Sequence, residues 1–300
     1  MTGDALAQDP EELRRRIDSS RAHPARVYDV FLGGKDHYPA DRDAAAAGLA
    51  ANPRGYLDVR HNRDFLRRAV TAVAAEDGIR QFLDIGTGLP TSENVHQIAQ
   101  RTHPDARVVY VDNDPVVLAH ARALLVSSPE GRTDYLDADL RDPARILEEA
   151  AKTLDFGRPV ALCLVAVLHF LPDEEAYAIV RELVGALPSG SRLILSHLTD
   201  DLNPESIRAV QRTYTDRGFT FVLRSHADVE RFFTDNSLTL ADPSVVPVHR
   251  WRPDHAAPVP DRPDAAYLAS LDDIEKIRYR DINDVTDADI NIYGGLGVKA

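Results

Sequence analysis

The residues best arranged for chemistry are two aspartates and a pair of glycines. In Gln81 Phe82 Leu83 Asp84 Ile85 Gly86 Thr87 Gly88 Leu89 Pro90 Thr91, a short apolar run ends in a carboxylate and two glycines spaced by one residue. That pattern reads as strand, tight turn, helix. Glycines at such a turn adopt backbone conformations closed to other residues and let a ligand approach the main chain. A helix starting near Thr91 would add free N–H groups and a positive dipole end. A second run, Arg107 Val108 Val109 Tyr110 Val111 Asp112, ends in a carboxylate 28 residues after Asp84. In a right-handed βαβ unit the two strands are neighbours, which brings Asp112 beside the glycine turn. A carboxylate there can accept both hydroxyls of a ribose, each charge-assisted bond being worth about 1.5–3 kcal/mol. The two features point to an adenosine-bearing ligand. A glycine pair after a strand also occurs in turns that only connect elements. The dinucleotide fingerprint wants a third glycine where this chain has Thr91 after Pro90, which disfavours a nicotinamide-dependent oxidoreductase.

The elements that must position these groups follow from alternation. Strands are expected at Gln81 to Ile85, Arg107 to Asp112, Thr133 to Leu136, Val160 to Val167 and Arg192 to His197. Helices are expected between them at Thr91 to Arg101, Pro115 to Leu125, Pro143 to Leu154 and Asp173 to Ala186. Such a series implies a mainly parallel sheet covered on both faces. The run from Val160 to Val167 is almost wholly apolar, as a central strand should be. Further helices open at Asn203 and Ala227, and Leu238 to Leu240 reads as a strand. Beyond it, closely spaced prolines and an acidic stretch from Asp261 to Asp289 suggest a long connection with little core. Ile290 to Val298 then reads as an edge strand weakened by its glycines.

Ahead of this core, Asp9 Pro10 Glu11 Glu12 carries the signals that open a helix, expected to end near Ser19. Pro24 to Leu32 reads as a short helix stopped by Gly33 and Gly34. An alanine-rich helix from Asp41 to Asn52 and a longer one from Gly55 to Glu76 follow; the latter buries Phe65, Leu66, Ala69, Val70 and Val73 along one stripe. Arg60, Arg63, Arg67 and Arg68 lie off that stripe, and one of them facing a pocket could hold a carboxylate. Tyr28, the glycine pair, Lys35, Asp36, His37 and Tyr38 supply the ring, hinge and charge of a closing segment; a solvated helix end fits them equally.

Bulk composition narrows the partners. The chain has 300 residues, 44% of them hydrophobic, enough for one large core with extensions. A formal net charge of −13 argues against a nucleic-acid partner. The single cysteine, Cys163, excludes an intrachain disulfide and a thiolate cluster. The N-terminus is polar and no segment reaches the roughly 18 apolar residues of a membrane span, so a cytoplasmic protein is expected.

With these residues in view, the chain resembles the S-adenosylmethionine-dependent methyltransferases, and more narrowly an actinobacterial methyltransferase-like family formerly known as a domain of unknown function. The resemblance rests on Ala25 to Asp29 with Leu32 to Asp36, on Asp84 to Thr91, and on Val111 to Pro115. It extends through Ala138 to Pro143, Val167 to Phe170, Trp251 to Pro253 and Tyr293 to Gly295. It implies an α/β fold: a Rossmann-like sheet of seven strands, mostly parallel with an antiparallel last strand. An N-terminal helical extension over residues 1–78 would precede the methyltransferase domain at 79–300, with residues 261–289 a possible insertion. By the same resemblance, S-adenosyl-L-methionine is the cofactor. Asp84, Gly86 and Gly88 would line its methionine part, Asp112 would hold the ribose and Asp139 the adenine amino group. Ala166 to His169 would sit under the methyl group, and Tyr28 and Gly34 would belong to a closing segment. Arg63, Thr87, Asn113, Leu140 and Val167 complete the expected cofactor set.

Methyl transfer from a sulfonium is an in-line displacement with an activated leaving group, so a base is needed only if the nucleophile carries a proton. His169, following a central strand, is the candidate base; a hydrogen-bonded structural histidine is the alternative. His37, Tyr38 and His197 are weaker candidates. No histidine and carboxylate spacing matches a metal site, and no serine sits in G-x-S-x-G. The expectation is a methyltransferase acting on a small-molecule acceptor, with no nucleic acid, membrane or metal involved and the oligomeric state left open. The alternative is a non-catalytic protein that binds S-adenosylmethionine or S-adenosylhomocysteine and regulates another process.

Overall fold

Strands flanked by helices on both sides must bury both faces, and the apolar runs of this chain do so. β1 (Gln81–Ile85), β2 (Arg107–Asp112), β3 (Arg132–Asp137), β4 (Ala161–Val165) and β5 (Arg192–Leu198) pair in parallel, in the order β3-β2-β1-β4-β5. The computed structural model describes residues 17–90, 93–124, 126–254 and 263–300. Of the helix expected over Asp9 to Ser19, all but residues 17–19 fall outside these, and those three are not helical. Alternate residues of the strands feed two cores. Phe82, Val108, Ala161 and Cys163 face one layer; Leu83, Val109, Leu162 and Leu193 face the other.

The sheet continues past β5 with β8 (Ile292–Lys299), antiparallel to it, and ends at β6 (Leu238–Leu240). A two-residue strand, β7 (Val246–Pro247), also pairs with β8. The last strand is therefore interior, not the edge strand that its glycines suggest. Those glycines are instead what lets it lie there. A Cβ on Gly294 would stand 2.9 Å from the Phe65 ring and from Val248, and one on Gly297 would stand 2.7 Å from Phe233. Neighbouring side chains fill the volume that a strand residue normally occupies.

Helices α1 (Pro24–Leu32), α2 (Pro39–Ala51) and α3 (Gly55–Ala75) precede the sheet. Around it pack α4 (Val95–Thr102), α5 (Pro115–Leu124), α6 (Pro143–Ala150), α7 (Asp173–Ala186), α8 (Pro204–Thr215) and α9 (His226–Thr234). Three expectations are corrected in detail. The helix after the glycine turn starts at Val95 rather than Thr91, because Asn94 and Gln97 form a reciprocal capping box that fixes the start. β4 ends at Val165, and Leu168–Phe170 make a single 3₁₀ turn. The acidic stretch before β8 has more core than its composition suggests. Within it lie two short helices, Ala265–Ser270 and Asp273–Lys276. Ile277 is wholly buried and Ile282 nearly so. Arg60 donates to the carbonyl of Ile277 at 2.6 Å and the His61 ring bonds that of Ile282 at 2.8 Å, so the stretch is strapped onto α3.

Candidate active site

The glycine turn closes on the tip of β2. Gly86 and Gly88 have φ of 74° and 68°, the left-handed region where only glycine is unstrained. The Gly86 amide donates to the Val111 carbonyl at 2.9 Å. A Cβ on Gly86 would lie 2.5 Å from Val167, whereas one on Gly88 would meet none of the described residues within 4 Å. The first glycine is thus required by packing against the tip of β4, and the second leaves its backbone open to a ligand. Thr87 caps the turn, its hydroxyl donating to the Asp84 carbonyl at 2.9 Å.

Asp112 is buried and fixes this geometry. One of its oxygens accepts the Gly88 amide and the other the Asp114 amide, both at 2.9 Å. Each oxygen keeps a further lone pair. Burial pushes its pKa up against those two bonds. Asp84 is buried too; burial raises its pKa to about 7, with the Arg63 guanidinium pulling the other way. Arg63 is itself held by the carbonyl of Glu93 at 3.2 Å and Oδ1 of Asn94 at 3.3 Å. The Arg63 cation is therefore close enough to the Asp84 carboxyl to act on it, while its guanidinium is anchored on Glu93 and Asn94. At the far lip, Asn113 approaches Asp139 at 3.5 Å, and Asp139 accepts the Arg141 amide at 2.9 Å.

A polar chain runs from the N-terminal helices to the tip of β4. The Tyr28 hydroxyl donates to the Val59 carbonyl at 3.1 Å and accepts from Nδ2 of Asn62 at 3.0 Å. Asn62 in turn accepts from the Ser196 hydroxyl at 2.6 Å, whose oxygen accepts the Ala166 amide at 3.0 Å. Ala166 has φ of 52°, a conformation that costs a residue with a side chain about 1–2 kcal/mol. The network and the neighbouring strand hold it there.

His169 sits on the 3₁₀ turn that follows. Its ring is buried, and Nδ1 has no hydrogen-bond partner among the described residues. Burial, with His197 and the Arg224 cation nearby, lowers its pKa well below the ordinary value, so the ring is neutral at pH 7. Arg224 carries this turn: its guanidinium donates to the carbonyls of Leu168 and Leu171, each at 3.1 Å, and to Nε2 of His197. His197, with a pKa pushed down to about 3 by burial and Arg224, is thereby a structural group. His37 is likewise occupied, bonding the Asp29 carboxylate at 3.0 Å.

Tyr28, Arg63, Asp84, Gly86, Thr87, Gly88, Asp112, Asn113, Asp139, Leu140, Ala166, Val167 and His169 line one cavity of about 490 Å³. Gly34 stands outside its lining. The Gly34 amide donates to the Asp29 carbonyl at 2.9 Å, and a Cβ there would fall 1.9 Å from the Asp29 carboxylate, so its smallness serves that packing. Sequence reasoning missed Asp58, Asn62, Tyr214, Phe221 and Arg224. Asp58 and Asn62 carried a signal: they stand four apart on α3, a polar pair on one helix face. The others belong to a loop and helix with no motif. Among the described residues, no group of three or more His, Cys, Asp or Glu side chains could hold a metal, and no helix is long and apolar enough to cross a membrane.

Comparison with known proteins shows the family and the fold. Residues 10–300 match the family model described as S-adenosyl methyltransferase. A DUF574 family protein from Streptomyces avermitilis MA-4680 is 45% identical, with 94% of this chain and 99% of that one covered and a TM-score of 0.82. A methyltransferase candidate from Thermobifida fusca YX is 36% identical over 98% of this chain and 99% of that one, with a TM-score of 0.77. The magnesium protoporphyrin IX methyltransferase of Synechocystis PCC 6803, solved with SAH bound, covers 97% of this chain and 100% of that one at 16% identity and a TM-score of 0.50, a likeness of fold. No curated protein matches the chain.

Proposed function

The chain belongs to the S-adenosyl methyltransferase family, and from that premise we propose that it moves a methyl group from S-adenosylmethionine to a small-molecule acceptor. One observation carries this reading: a single cavity runs from the glycine turn, past the tip of β4, into an apolar chamber beyond it. The cavity residues fit the cofactor. Gly88 leaves its main chain accessible, Asp112 retains lone pairs for two ribose hydroxyls, and Arg63 offers a cation for the methionine carboxylate. Asp139 and Asn113 supply an acceptor and a donor for the adenine edge.

When bound, the cofactor supplies a methyl group on a sulfonium, which needs no further activation to leave. The chain's share is to orient the acceptor, exclude water and take a proton. Ala166 and Val167 form the floor on which the two reactants meet. His169 is assigned the proton: a neutral imidazole with an unpartnered Nδ1 can accept an O–H or N–H hydrogen from the acceptor.

Calorimetric titration with S-adenosylmethionine, S-adenosylhomocysteine and NAD tests the reading. Micromolar binding of the first two without the third supports it; failure of both sulfur ligands to bind overturns it. Binding without transfer to any acceptor would favour a regulatory binding protein.

A further inference from the structure

Beyond Ala166 the character of the cavity changes. Phe170, Tyr214, Phe219 and Phe221 all line it and pack on one another, the Tyr214 and Phe221 rings 4.8 Å apart and the Phe170 and Phe221 rings 6.1 Å apart. The His169 ring joins the same cluster, 4.1 Å from Phe170 and 5.1 Å from Phe221. Leu198 and Ile292, paired across β5 and β8, add an aliphatic floor.

One carboxylate stands beside the aliphatic floor, held by Asn291, the residue before Ile292. Asp58 on α3 lines the cavity and is only 5% exposed. Asn291 holds both of its oxygens, one by its backbone amide at 2.5 Å and one by its side-chain amide at 3.0 Å. The partner is neutral, so the carboxyl group is oriented but not charge-compensated, and each oxygen retains a lone pair. Among the described residues lining the cavity, the Lys and Arg side chains are Arg63 and Arg141 alone. Arg63 reaches Glu93 and Asn94, and Arg141 reaches Glu175 beside Asp139, both at the glycine-turn end. An anionic acceptor would therefore meet a carboxylate and no cation. A sugar-like acceptor would set its hydroxyls against rings and aliphatic side chains, and each unmet hydroxyl is costly to bury.

Resting on the methyltransferase reading above, we propose that the acceptor is a planar aromatic small molecule carrying, apart from the group to be methylated, one hydroxyl or amine donor. Its ring system lies against Phe221 and Tyr214, and its donor is received by Asp58. Aromatic rings offer offset and edge-on partners to such a molecule. A burial-raised carboxyl group gains most from a donor that enters with the ligand.

The test uses the full chain with and without saturating S-adenosylhomocysteine. The probes are 2-naphthol, 2-naphthylamine, 2-naphthoate and decahydro-2-naphthol, with dissociation constants read by fluorescence or calorimetry. The expected order has naphthol or naphthylamine tightest and both naphthoate and the saturated alcohol at least about tenfold weaker, the factor expected when one charge-assisted hydrogen bond or the aromatic stacking is missing. The tighter of the first two probes identifies the donor as hydroxyl or amine. Asp58→Asn should weaken that probe about tenfold or more while leaving S-adenosylhomocysteine affinity in place. Should Asp58→Asn not fold, Phe221→Leu and Tyr214→Leu carry the test, each expected to weaken the aromatic probes several-fold. Naphthoate binding as tightly as naphthol, or an unchanged naphthol constant in folded Asp58→Asn or in both ring variants, overturns the proposal. If S-adenosylhomocysteine binds and no aromatic probe does, the acceptor assignment falls alone. If S-adenosylhomocysteine does not bind, the methyltransferase reading falls with it, whatever the probes do.

Discussion

At one end of the cavity the walls are main chain and carboxylates from the tips of β1, β2 and β3, drawn from residues 84–141; at the other they are rings and aliphatic side chains gathered from α1, α3, α8 and β8, spread over residues 31–292. The first end is shaped by local rules: a left-handed glycine, a carboxylate on neighbouring amides, a strand that must stop. The second exists only when distant segments are packed. A change at the first should act on the cofactor whatever the acceptor is, and a change at the second should spare the cofactor.

The largest break in that division is expected from Gly86→Ala. Left-handed strain and a Cβ 2.5 Å from Val167 together cost about 3 kcal/mol or more. Titration should show cofactor affinity reduced about a hundredfold or more, and unchanged affinity would remove the turn from the binding site. Asp112→Ala comes next. Losing the ribose acceptor should weaken S-adenosylhomocysteine binding by about 1.5–3 kcal/mol, and thermal unfolding should come earlier because the Gly88 and Asp114 amides lose their acceptor.

Asp58→Asn sharpens the comparison through pH. In the folded protein this carboxyl ionises near 7, because burial opposes the charge; unfolded, it ionises in the ordinary carboxylate range near 3.9. Between those values the folded state holds the extra proton, so ionisation costs stability as pH rises, by at most about 1.4 kcal/mol per pH unit. Asparagine cannot ionise. The variant should therefore gain on the wild type between about pH 4 and 7 and keep a constant difference above, as melting temperatures at pH 5 and 8 would report. Parallel profiles would mean that Asp58 is charged throughout.

Tyr28→Phe is the smallest effect and the one that links the two ends. It leaves the Asn62 amide without its hydroxyl acceptor, for about 1 kcal/mol of stability. Because the same network ends on Ala166, probe binding in both halves should shift slightly. A shift confined to one half would show that the network is not shared.

The same contrast explains what could be read from the chain alone. The parallel core, the glycine turn and Asp112 were legible because each is written within a few consecutive residues: an apolar run, a glycine, a strand-end carboxylate. His169 was legible by position, but the turn that carries its ring is held by Arg224, 55 residues away. β8 was misjudged as an edge because its glycines lower strand propensity, and the rings of Phe65 and Phe233 that demand those glycines come from helices far off in sequence. The stretch at 261–289 reads as coreless because Ile277 and Ile282 are too few and too widely spaced to make a helical or strand period, yet each fits a separate gap against neighbouring elements. Gly34 matched a motif whose purpose here is to make room for Asp29.

The interior position of β8 has a consequence for how the protein is made. Among the described residues β6 and β7 pair with no strand but β8, and Asp58 is held by Asn291 just before it. On a ribosome adding roughly 5–20 residues per second, the stretch from 198 to 292 takes on the order of 5–20 s to emerge. Throughout that interval β1 to β5 can already form, with the flank of β5 open as an unpaired edge. The residues assigned to the cofactor, all between 28 and 167, have then emerged in a nascent chain whose proposed acceptor chamber still lacks Ile292, and the exposed edge during those seconds is where chaperones would be most needed.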